Sequence, residues 1–151
     1  MPKKNKTSQS EASGADGKSL QSSYVVTEHW MSDLQFFNEE ITFLRNVINK
    51  YFLTLIEEKN IGSTRAVAAD LSSIEKECAD LRARVAGHLK HLAHRIENPF
   101  PYNAQEYQDE HARLEDAMTA MMKEFRVVKK EVFKVSEYAI DSEKSKHLLE
   151  R

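Results

Sequence analysis

Apolar residues recur along most of this chain at alternating steps of four and three. Trp30, Leu34, Phe37, Ile41, Leu44, Ile48, Tyr51 and Leu55 keep the alternation without a break. That spacing lets one helix lie along another for many turns. A second run reads Val67, Leu71, Ile74, Cys78, Leu81, Val85, Leu89, Leu92 and Ile96. Its extra step of four between Val85 and Leu89 turns the seam slightly. A third run comprises Tyr107, His111, Leu114, Met118, Met121, Phe125, Val128, Val132, Val135 and Ala139. Three seams predict three long amphipathic helices.

Residues between the seams place the helix ends. Thr27 can accept from the orphan N–H groups of a following turn, and Glu28 suits the positive helix end. Val26 and Met31 fit a hydrophobic staple around such a cap. The first helix is therefore expected over about 28–60, closed by Ile61-Gly62. With Ser63 or Thr64 as cap, the second spans about 64–97. Asn98-Pro99-Phe100-Pro101-Tyr102 breaks it, because two prolines remove donors and disfavour the helical turn. Asn103 followed by Glu106 resembles a capping box and opens a third helix over about 104–146. Two short connections between three helices give an all-α fold, an up-down-up antiparallel three-helix bundle over 24–149. Residues 1–23 are rich in Ser, Lys, Gly and Gln and almost free of apolar side chains. Such a segment cannot offset the entropy of ordering, so it reads as a disordered N-terminal arm.

Composition narrows the function classes. Of 151 residues, 40% are hydrophobic and 30% charged, with few Gly or Pro, as suits a soluble helical protein. The net charge of −2, with acidic and basic residues mixed on every helix, argues against a nucleic-acid surface. No stretch approaches the roughly 20 apolar residues of a membrane span, and no signal-peptide core follows the basic start. The single cysteine, Cys78, cannot form an internal disulfide and fits a reducing, cytoplasmic setting. No Gly-rich phosphate loop or nucleophile motif is present, so the chain does not read as an enzyme.

Two constellations remain. Phe36, Phe43 and Val47 fall about 100–140° from the first seam, which widens the apolar arc beyond one bundle face. They are the candidate partner-binding residues, toward a second copy of the chain as a homodimer or toward another helical protein. In an up-down-up bundle, His29, His88, His91, His94 and His111 share one end with Glu28, Asp33, Glu97, Asp109, Glu110 and Glu115. His88, His91, His111, Glu115 and His29 form the candidate metal set, for zinc or iron. Against that set, the three histidines of the second helix diverge, and no His-Glu-x-x-His or Glu-x-x-His occurs. Histidines grouped in this way also gather charge on acidification.

The run from His29 to Leu44, HWMSDLQFFNEEITFL, resembles the opening helix of a loose set of small, uncharacterised bacterial three-helix coiled-coil proteins. The likeness covers about residues 28–140 and implies fold alone; it brings no activity, cofactor or site residue with it. The three-helix layout is also similar to spectrin-type repeats and to regulatory bundles of membrane-fusion proteins. A hemerythrin-like iron protein would need a fourth helix and a fuller His/Glu/Asp set. The expectation is a non-enzymatic bundle acting through protein–protein contact as a homodimer, the alternative a metal-binding bundle with its site at the histidine end.

Overall fold

A computed structural model describes the backbone over 5–57, 61–98 and 104–150, and side chains from Leu20 onward except at 53 and 55–57. Three helices account for nearly all of it: α1 (Asn5–Glu57), α2 (Ile61–Glu97) and α3 (Ala104–Leu149). No strand occurs among the described residues. The fold is an all-α three-helix bundle whose helices pack pairwise.

The chain separates into two compact units, each drawing on all three helices. One comprises residues 1–34 and 81–118, the other 35–80 and 119–151. In the second unit the helices meet in a consistent heptad register. With the buried residues labelled a and d, Arg45 at an e position of α1 pairs with Glu75 at an e position of α2. Lys129 at e of α3 reaches Glu40 at g of α1, 3.1 Å away. Glu77 of α2 and Glu124 of α3 meet at g positions. Pairs of e with e and g with g belong to antiparallel neighbours, and g with e to parallel ones. That assigns α2 antiparallel to both other helices in this unit, the up-down-up order that the seams predict.

The apolar seams are buried largely as read. Leu34, Ile41, Leu44, Leu71, Ile74, Cys78, Leu114, Met121, Phe125 and Val132 are all in the core. Phe37 and Phe125 contribute an aromatic contact, with ring centroids 5.2 Å apart. The side chain of Leu55 lies outside the described residues.

Helix ends depart from the sequence reading. The backbone of α1 is helical from Asn5, ahead of the expected start near Thr27. Thr27 is no cap. It is a fully buried mid-helix residue whose hydroxyl donates to the Ser23 carbonyl at 2.6 Å. A threonine can satisfy its own hydroxyl this way inside a helix, so a capping residue type alone does not mark a boundary. Val26 accordingly stands exposed rather than stapled.

α2 begins at Ile61, which places Gly62, Ser63 and Thr64 within its first turn. Gly62 has no positive φ and ends no helix, and Thr64 is buried as the first core residue of α2. The predicted end of α1 at 58–60 and the Asn103 cap lie outside the described residues, as does the double-proline stretch beyond Asn98. Before that break the Asn98 N–H donates to the His94 carbonyl at 2.9 Å. α3 runs to Leu149, slightly past the expected 146.

Two stability measurements test this packing. Leu44→Ala removes a fully buried side chain and should cost about 2–5 kcal/mol in urea unfolding, whereas Leu148→Ala, at an exposed site, should stay within about 0.5 kcal/mol. At the α2–α3 flank, a hydrogen bond to Glu124, burial and the Glu124 charge push the Glu77 carboxyl above its ordinary value. A raised carboxyl contributes stability below its unfolded pKa and loses it as pH rises through the folded one. Glu124→Lys should therefore raise the melting temperature at pH 7 and do little at pH 4.

Candidate functional site

The unit built from residues 1–34 and 81–118 carries the histidines. On α2 the buried positions run Leu71, Ile74, Cys78, Leu81, Val85, His88 and Leu92. The steps are three and four throughout, with no extra four. His88 occupies the core position that the sequence reading gave to Leu89. Leu89 is only half-buried, and Ile96 is exposed. The seam therefore does not rotate; a polar residue stands in it.

His88 is 0% exposed. Its Nε2 lies 3.0 Å from Nδ1 of His111, the seam residue of α3. The imidazole of His111 stacks on the indole of Trp30 from α1, with centroids 4.6 Å apart and planes 26° from parallel. One imidazole from α2, one from α3 and one indole from α1 thus meet at the same level of this unit. Nδ1 of His88 is buried without a hydrogen bond, and its nearest charged neighbour is Glu110 Oε2 at 3.7 Å. The same carboxylate oxygen lies 3.9 Å from Nδ1 of His91. Glu110 of α3 and His91 of α2 both occupy g positions, so they flank the core pair where two antiparallel helices face each other.

Burial holds the His88 imidazole below its ordinary pKa of 6.5. The Glu110 carboxylate opposes that shift, while the His111 and His91 charges add to it. Burial likewise lowers His111, against the attraction of Glu115. Both rings are held toward their neutral forms, the forms that can share one proton between two nitrogens.

The sequence-derived metal set separates here. His88 and His111 come together, but their facing nitrogens are directed at each other. His91 and His29 are exposed, and Glu115 is exposed and acts on His111 through its charge. Glu110 is the carboxylate brought to the His88 side of the pair, as Glu115 is to the His111 side. Glu110 sits one residue before seam position His111, a flank signal visible in the sequence once the register is known. Among the described residues no group of three or more His, Cys, Asp or Glu could hold a metal ion. Beside the pair lies an open cleft of about 370 Å³, lined by His91, His94, Arg95, Glu106, Tyr107 and Glu110. In it Arg95 donates through Nε to the Tyr107 hydroxyl at 2.7 Å.

In the other unit, Phe36 and Phe43 remain 57% and 58% exposed. Both occupy c positions of α1, one heptad apart on its outer face, and Val47 is half-buried on the adjoining g flank. On α3, Met122 and Phe133 are also exposed, at e and b positions on the side from which Lys129 reaches α1. A separate groove of about 550 Å³ between α2 and α3 has Val67 and Val135 in its lining and Asp70, Glu131, Lys134 and Tyr138 around them.

No family model, curated protein or solved structure matches the chain. No described helix is long and apolar enough to cross a membrane.

Charge selects the tautomers of the pair. Were His88 protonated only at Nε2, its bare Nδ1 lone pair would face a carboxylate; with the proton on Nδ1, that N–H points toward Glu110 and Nε2 accepts from His111. Imidazole ¹⁵N shifts at pH 8 should therefore report Nδ1–H on both His88 and His111, and Glu110→Gln should weaken that preference at His88.

Proposed function

We propose that this protein is a non-enzymatic contact protein that pairs with a second copy of itself through the outer face of α1. The exposed Phe36–Phe43 pair carries the reading. Two phenyl rings left in water one heptad apart form a stripe that monomeric proteins seldom keep bare. Seven residues of helix separate them by about 10.5 Å. The stripe is self-complementary: a two-fold axis between the rings sets Phe36 of one copy against Phe43 of the other and repeats the contact in reverse. Val47, with Met122 and Phe133 on the neighbouring flank of α3, widens the apolar surface available to a partner. Glu40 and Lys129 already neutralise each other within this face.

The charge balance supports a protein partner over nucleic acid, and the chain shows no catalytic motif. The buried Cys78 thiol is of the kind kept reduced in the cytoplasm, which supports that location.

Size-exclusion chromatography with light scattering tests the reading on wild type and on the Phe36→Ser/Phe43→Ser double variant. The expected result is twice the chain mass for wild type and a single-chain mass for the variant, at unchanged helicity. Single-chain mass for both, at tens of micromolar protein, would remove the homodimer.

A further inference from the structure

We propose that the His88–His111 pair is an acid-sensitive latch that holds the histidine-bearing unit closed when it shares one proton and releases the unit when a second proton arrives. The inference is independent of the contact surface on α1, since its residues belong to the other unit.

The argument starts from proton counting. Two imidazole nitrogens 3.0 Å apart need one hydrogen between them. With both rings neutral, one donates and the other accepts. A first added proton is tolerated, because one ring still offers a lone pair and Glu110 lies 3.7 Å from the His88 side of the pair. A second added proton leaves N–H facing N–H across that short gap, with a positive charge on each ring. No rotation of His88 relieves this within the core, for its side chain is wholly enclosed. The rings separate only if α2 and α3 part there, which also frees the indole of Trp30 stacked on His111.

Charged groups around the pair set the threshold. On α3, Glu110 and Glu115 favour the charged rings; on α2, the charge of His91 opposes them. The described contact from α1 is the uncharged face of Trp30, which offers no counter-ion. Burial outweighs the carboxylates, so both rings resist protonation when folded, while the unfolded chain takes up protons near the ordinary value of 6.5. With folded values depressed, the stabilisation is complete above the unfolded pKa and is lost as pH falls from about 6.5 through the lower folded values. The two rings titrate as one coupled unit, in two steps that belong to the pair.

Hydrogen exchange measured by NMR between pH 7.5 and 5.0, corrected for the intrinsic pH dependence of exchange, tests the latch. Protection over 81–97 and 104–118 should fall at least tenfold by pH 5, and the fluorescence of Trp30, the single tryptophan, should report the same transition. His88→Leu fills the core position with an apolar side chain and removes the facing pair, so the loss should shrink to what the remaining His111 ring gives alone. His111→Gln serves if the leucine variant does not fold: its amide can still donate to His88 yet takes up no second proton, so protection should persist to lower pH. Unchanged wild-type protection down to pH 5, or the same loss in His111→Gln, would overturn the proposal.

Discussion

The packing rests on one constraint: every third and then every fourth side chain of each helix must leave water on the same side. An α-helix that keeps this alternation buries a continuous strip, and three such strips close around one another. Other pairings follow from it. Once a and d are enclosed, e and g are forced to the flanks, and the flanks of adjacent helices meet in a fixed combination. Arg45 with Glu75, Lys129 with Glu40, and His91 with Glu110 all lie at such flank positions. These pairs are partly exposed and each contributes little, so they report the register more than they hold it. The acidic meeting of Glu77 with Glu124 shows the same thing from the other side, since the seam fixes that contact against its own charge.

Two imidazoles in a strip of aliphatic side chains are costly. A buried ring nitrogen without a partner forfeits its hydration, and the penalty is avoided only if each finds a complement. His88 and His111 complement each other at one pair of nitrogens, and the carboxylate of Glu110 stands near the other nitrogen of His88. A leucine pair would pack without such conditions. The imidazoles instead make closure of this unit depend on protonation, and Trp30 carries that dependence to α1 through its stack on His111.

The outer face of α1 obeys different logic. Phe36 and Phe43 take no part in the enclosed strip, yet they repeat with its period. A helix that is apolar on its inner stripe and aromatic on an outer one has two surfaces to bury. The first is covered within the chain. The second, flanked by Met122 and Phe133 on α3, is the surface proposed for pairing with a second copy.

The seams and the helix count were written in the spacing of residues, because helical period is a local property; that spacing set Phe36 and Phe43 off the first seam but left open whether a wide core would cover them. Helix starts were less legible. Thr27 and Gly62 carry residue types that favour boundaries, yet tertiary burial and the neighbouring turns kept them inside helices. The histidine site needed the fold. Hydropathy favoured Leu89 over His88 at the core position, and only the packing of α2 against α3 showed that a strict register, with a second imidazole waiting at His111, makes the polar residue acceptable there. A hydrogen bond between residues 23 apart in sequence leaves no trace in local pattern; it exists because two antiparallel seams bring d of one helix opposite a of the next.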